Sequence, residues 1–204
     1  MPGLRVGLTG VLGSGKSTVL GMFRRLGAVT MDADAVAREC LKKGTPSYRR
    51  IVRRFGESIL GRGGRIERPA LARRVFTNAA GRRALEGIVH PAVKRRLERR
   101  LSSLPRGRVA VCEVPLLYEA GLERMFDKVV VVSAPERTRR RRLKAGRSLG
   151  GAEARRREAA QWPLSRKCGR ADAVIENRGN KALTRRHVLA LWRAWRAEQI
   201  HKEE

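Results

Sequence analysis

Arg5-Val6-Gly7-Leu8-Thr9-Gly10-Val11-Leu12-Gly13-Ser14-Gly15-Lys16-Ser17-Thr18 is the stretch that decides the architecture. Residues 5–9 are short, apolar and stopped by a glycine, which reads as a buried strand. Residues 10–17 satisfy GxxxxGK[ST] at every defined position. Beyond them Val19, Leu20, Met22, Phe23 and Leu26 mark the apolar face of a helix that Gly27 stops. The glycines let the turn curl with its N–H groups inward, forming a concave anion site. The helix N-terminus adds favourable dipole charge. Lys16 can reach the outer phosphates of a nucleotide, and the Ser17 hydroxyl can ligate Mg²⁺. Gly10, Gly13, Ser14, Gly15, Lys16 and Ser17 are therefore the candidate nucleotide-binding residues. Thr18 is a further phosphate or helix-start contact, and ATP with Mg²⁺ is the expected ligand pair.

Working outward, four more stretches read as strands: residues 28–31 (AVTM) ending at Asp32, 109–114 (VAVCEV), 128–133 (KVVVVS) and 173–176 (AVIE). Helical patterns separate them, so the expected fold is α/β with a five-stranded parallel sheet. A helical block at 48–55, 69–76, 80–89 and 91–104 lies between the second and third strands, with Pro91 in the first turn of its last helix. After Pro135 an arginine-rich helical pattern runs to Gly146–Gly151, resumes at 152–161, and a final amphipathic helix covers 181–199.

The chain has 204 residues, 42% apolar, enough to bury roughly 70% of its unfolded surface without a disulfide or metal staple. Cys40, Cys112 and Cys168 form no CxxC pair, which points to a reducing, cytoplasmic compartment. No apolar run approaches the ~20 residues of a membrane span, and the first residues lack a signal-peptide core. Membrane and secreted classes are set aside. The net charge is +28, carried by 38 Arg and 9 Lys. A polyanion partner is one reading of that excess. Solvated helix surface is the other, because Arg24-Arg25, Arg49-Arg50, Arg53-Arg54 and similar pairs are spread along the chain, which is also rich in Gly and Ala. No nucleic-acid motif supports the first reading, so nucleic acid remains an alternative partner on charge alone.

A phosphate loop does not by itself choose an acceptor. Asp32-Ala33-Asp34 follows the second strand, at the sheet edge where ligands of parallel α/β folds bind. A carboxylate there can orient an acceptor hydroxyl and take its proton. One Asp can cap the following helix, which leaves the other for chemistry; the residues alone do not rank the two. Arg38 shares the helix face of Asp34. Glu113 ends the third strand, placed to hold Mg²⁺ through water. The GTPase pattern NKxD is missing: Asn180-Lys181 is followed by Ala182-Leu183.

Taken in order, GLTGVLGSGKST, MDADAVAR, IVHP, VPLLYEAGL and QWPLSRKCGRADAVIEN resemble the dephospho-coenzyme A kinase family from Val6 to about Asn177. The resemblance implies transfer of the ATP γ-phosphoryl to the ribose 3′-hydroxyl of dephospho-coenzyme A. It implies one kinase domain over 1–204: a three-layer phosphate-loop core (1–35, 105–137 and 164–204), a helical acceptor-binding insertion (36–104) and a helical lid (138–163). By the family pattern Asp34 is the acid–base carboxylate and Asp32 a supporting polar group or cap. His90 becomes an acceptor contact, with a capping or packed histidine as the alternative. Leu116 and Tyr118 become acceptor-pocket residues, with packing as the alternative. Asn177, and with it Asp172, becomes a nucleotide contact. One departure concerns the lid. The family places arginine at the end of RLxxR, whereas here Gly146 stands there and Arg147 follows. Arg147 is the expected cation on the migrating phosphoryl group, with Arg142 or Arg157 as substitutes. The rivals are a nucleoside or nucleotide kinase of the same fold, and a basic nucleic-acid-binding ATPase. The sequence gives no oligomeric state.

Overall fold

Five parallel strands form the centre of the computed structural model, which describes residues 3–76, 79–145 and 151–200. They are β1 (Leu4–Thr9), β2 (Val29–Asp32), β3 (Val109–Glu113), β4 (Lys128–Ser133) and β5 (Ala173–Glu176), in spatial order β2-β3-β1-β4-β5. Strands covered on both faces read as continuous apolar runs rather than alternating ones, and Val129 to Val132 are all buried. After β1 the chain first visits one side of the sheet and later the other. That reversal opens a crevice at the C-terminal strand ends, where phosphate-binding loops of such folds lie.

Helices α1 (Lys16–Arg25) and α9 (Lys181–Ile200) cover one face. Val6, Leu8, Val19, Phe23, Val111, Val130, Val132, Val188 and Trp195 form its core, and the rings of Phe23 and Trp195 stack 5.2 Å apart. Burying a side chain such as Phe23 contributes about 1.5–3 kcal/mol. On the other face β1 must be narrow: a Cβ at Gly7 would stand 2.6 Å from the Leu117 side chain and 2.9 Å from Phe126. Among the described residues, no helix is long and apolar enough to cross a membrane.

The chain divides into two compact units, Met1–Asp32 with Leu101–Glu204, and Ala33–Arg100. The second is helical, with α2 (Ala33–Cys40), α3 (Pro46–Phe55), α4 (Arg68–Phe76) and most of α5 (Ala79–Ser102). Its own core gathers Ile51, Ile59, Leu71, Val75 and Ile88. Thr45 caps α3, its hydroxyl accepting the Tyr48 N–H at 3.1 Å, and Pro46 fits the first helical turn.

Residues 80–89 and 91–104 are not two helices meeting at His90-Pro91 but a single helix of 24 residues with Pro91 inside it. An internal proline costs about 3 kcal/mol. Ile88 before it and Val93, Leu97 and Leu101 after it are all buried, so packing on both sides holds the helix continuous. His90 is accordingly an exposed mid-helix residue, not a junction cap.

Candidate active site

The turn between β1 and α1 is built as the sequence requires. Gly13 and Gly15 sit at φ +76 and +92, left-handed values that a side chain resists. Gly15 occupies the N-cap of α1 with no side-chain cap, and the first turn carries no acid. A helix start of that kind, with its positive dipole end and no acid beside it, suits an anion. Lys16 is 8% exposed and folds over the loop, its Nζ donating to the carbonyls of Gly10 (3.0 Å) and Val11 (3.2 Å). The Ser14 hydroxyl is buried without a hydrogen-bond partner. Thr18 is exposed in the first turn of α1.

Next to the loop the Ser17 hydroxyl donates to Glu113 Oε1 at 3.3 Å. Strand register pairs Glu113 with Leu8 on one side and Asp32 on the other. A hydroxyl, a carboxylate and a second carboxylate strand-end therefore line one edge. These are hard oxygen donors of the kind Mg²⁺ takes alongside substrate phosphates and water. Among the described residues no cluster of three or more His, Cys, Asp or Glu could hold a metal by protein ligands alone.

Side chains from outside grip the loop; of these the sequence reading gave a role to Arg142 and Asn177 but none to Arg139 or Gln161. In α6 (Glu136–Ala145) Arg139 Nη1 donates to the Leu12 carbonyl (3.3 Å) and pairs with Glu158 (3.2 Å) of α7 (Gly151–Ala159). Arg142, from the same α6, bonds the carbonyls of Gly13 and Ser14. Gln161, just past α7, accepts the Leu12 N–H at 2.8 Å. Gln161 lies in a motif-bearing stretch, yet nothing in its neighbours tells which backbone amide it will meet. Asn177 directs its amide onto the Ser14 carbonyl at 2.8 Å and is buried. Asp172, expected beside it, stands at the opposite sheet edge. Its carboxylate accepts the Val129 N–H at 2.6 Å, because it precedes β5 where Asn177 follows it. It is a strand-start clamp.

The segment after β3 is organised around a buried ion pair. Lys167 is wholly buried in α8 (Leu164–Cys168); its Nζ lies 2.9 Å from Glu119 Oε1 and 3.0 Å from the Pro115 carbonyl. Glu119 also accepts the Trp162 N–H at 2.6 Å. Tyr118 stacks on Trp162 at 5.9 Å and donates to the Arg170 carbonyl at 2.8 Å. Burial, with the Asp172 charge adding to it, pushes the Tyr118 phenol up to about 12, so it stays a neutral donor. Leu116 is half-buried on the same segment. Removing one partner of a buried pair leaves a stranded charge, at a cost of about 3–5 kcal/mol. Lys167→Ala should lower the unfolding free energy by that much, read as a lower urea midpoint at unchanged m, while Lys167→Met with Glu119→Gln should recover part of it. An unchanged midpoint in the alanine variant would refute the pair's structural weight.

In the helical unit Asp34 is exposed in the first turn of α2, two residues after the end of β2, and Arg38 is exposed one turn on. His90 is exposed in α5. Arg147 lies outside the described residues, as does the side chain of Arg157.

The dephospho-CoA kinase family model matches residues 4–182. A protein named dephospho-CoA kinase from Geobacillus kaustophilus is 44% identical over 196 residues, 95% of this chain and 98% of that one. Another of that name from Geobacter metallireducens is 46% identical over 201 residues, 98% of each chain. A Thermus thermophilus protein of known crystal structure superposes with TM-score 0.79 at 36% identity, covering 95% of this chain and 98% of its own. The dephospho-CoA kinase of Campylobacter jejuni shares the fold, with TM-score 0.68 at 23% identity, covering 94% and 96%.

Proposed function

Because the chain belongs to the dephospho-CoA kinase family, we propose that it transfers the γ-phosphoryl group of ATP to the ribose 3′-hydroxyl of dephospho-coenzyme A. The products are coenzyme A and ADP, and the step is the last of coenzyme A biosynthesis. The observation that carries this reading is the family match over residues 4–182, with a phosphate loop and its Ser17–Glu113 pair at the sheet edge.

Gly10, Gly13, Ser14, Gly15, Lys16, Ser17 and Thr18 hold the triphosphate. Lys16 exchanges its bonds to the Gly10 and Val11 carbonyls for the outer phosphates. Ser17, with Glu113 through water, would hold Mg²⁺, which when bound neutralises charge on the phosphates. In this reading the helical insertion, residues 36–104, receives the acceptor through Arg38 and His90, and Leu116 and Tyr118 are further acceptor contacts. Asp32 supports Asp34, which orients the 3′-hydroxyl and takes its proton as the new O–P bond forms and the bond to the β-phosphate oxygen breaks. Residues 138–163 act as a lid that excludes water and suppresses hydrolysis. A cytoplasmic location belongs to this reading.

A coupled assay of ADP release with Mg-ATP, with and without dephospho-coenzyme A, tests it. ADP should form only with the acceptor, and the product should be heavier by one phosphoryl group. Acceptor-independent hydrolysis, or turnover on nucleosides instead, would overturn the assignment. Arg147 is the lid cation in this scheme, so Arg147→Ala should lower kcat about 10²–10³-fold with KM for ATP little changed. Full turnover in that variant would move the role to Arg142 or Arg157.

A further inference from the structure

Two side chains from outside the phosphate loop fix one peptide within it. The Ser14 carbonyl accepts Asn177 Nδ2 at 2.8 Å and Arg142 Nη1 at 3.1 Å, and Nη1 also reaches the Gly13 carbonyl at 3.3 Å. Arg142 Nη2 donates to the Asn177 carbonyl at 3.1 Å and to Asn177 Oδ1 at 3.0 Å. A guanidinium can only donate, so the Nη2–Oδ1 bond fixes the Asn177 amide with its oxygen on Arg142 and its nitrogen toward the loop. Asn177 is 5% exposed, so this arrangement is a built one and not a surface encounter.

A planar trans peptide carries its C=O and N–H on opposite sides. Holding the Ser14 carbonyl outward therefore turns the Gly15 N–H inward. Gly15 takes a left-handed φ of +92, and a Cβ there would run into the Asn177 amide. The glycine, the amide and the guanidinium thus specify one another. An unpinned peptide between flexible residues can flip, and a flipped one would present a carbonyl oxygen to the incoming phosphates.

We propose that Arg142 and Asn177 are positioning residues for the nucleotide: they preset the Gly15 N–H of the anion cradle, and Arg142 does not serve as the cation on the transferred phosphoryl group. The proposal rests on the kinase reading above. A preset amide serves any nucleotide whose phosphates fill the loop, ADP as much as ATP. The expected signature is therefore in binding rather than in the chemical step. A cation on the migrating group would show the reverse, because ADP lacks that group.

Arg142→Lys is the decisive variant, since it keeps the positive charge and loses the planar fork. Titration calorimetry with Mg-ADP should show Kd raised about 10- to 100-fold, with KM for ATP rising in parallel and kcat within about threefold of wild type. Asn177→Asp, which puts an acceptor where the donor to Ser14 stood, should move Mg-ADP binding the same way. Circular dichroism checks that each is folded; if Asn177→Asp is not, Arg142→Lys decides alone. Unchanged Mg-ADP affinity in folded Arg142→Lys would overturn the proposal, most plainly if kcat fell about 100-fold. Failure of the wild-type chain to bind Mg-ADP would overturn the kinase reading, and this assignment with it.

Discussion

Asp34→Ala should lower kcat for coenzyme A formation by about 10²–10⁴-fold, the range a positioned general base contributes, while KM for ATP stays near wild type. Asp32 is the last residue of β2 and pairs in register with Glu113, so the strand ends at the edge that carries the Ser17–Glu113 pair. Asp34 stands two residues on, exposed in the first turn of α2. Its position there also favours negative charge, by about 0.3–1 kcal/mol through the helix dipole. A small loss of stability is therefore expected beside the large loss of rate. Asp34→Asn separates the two effects: it keeps the shape and cannot accept the proton, so it should be nearly as slow and better folded. Turnover within tenfold of wild type in both variants would transfer the role to Asp32, and Asp32→Asn would then carry the deficit.

Lys16→Ala is the second large effect. Removing a preorganised donor from charge that develops in the transition state costs about 10²–10³-fold in kcat, and nucleotide affinity should fall as well. Lys16 is buried and bonded to the Gly10 and Val11 carbonyls, so it is stored inside the loop it serves. Those two bonds contribute about 0.5–1.5 kcal/mol each to the resting loop. Lys16→Arg should not rescue, because a planar fork does not fit a position made for a compact ammonium. ADP release and Mg-ADP titration read the two losses separately. Wild-type affinity in Lys16→Ala would mean that the backbone amides alone hold the phosphates.

What the sequence shows and what it hides divide along a physical line. The strand, loop and first helix were legible because GxxxxGK[ST] sits between an apolar run and an amphipathic one, and each of those signals is local. The five strands and their parallel direction followed from apolar runs alternating with helical patterns, while their order across the sheet did not. Pro91 misled because its backbone cost is visible in one residue, while the packing of Ile88, Val93 and Leu97 that offsets it is spread over three turns. Asp172 and Asn177 sit close together in sequence and were read together. Only the strand direction separates them to opposite sheet edges. Arg139, Arg142 and Gln161 bond to backbone groups more than a hundred residues away. Such bonds have no periodicity and prefer no residue type at the receiving end. In a chain with 38 arginines the useful ones cannot be told from the solvated ones by composition.

The strand order has a bearing on how the protein is made. β1 lies between β3 and β4, and β2 pairs with β3 alone. Neither early strand has a partner until β3 leaves the ribosome, about a hundred residues after β1. At about 5–20 residues per second that is a wait of several seconds, during which the nucleotide loop hangs from an unpaired apolar strand. The helical unit, with its own core of Ile51, Ile59, Leu71, Val75 and Ile88, is complete earlier. Synthesis should therefore yield a folded helical body first and a sheet second. Stalled nascent chains ending after Arg100 should already protect the helical unit from protease while Arg5 and Lys16 are still cut.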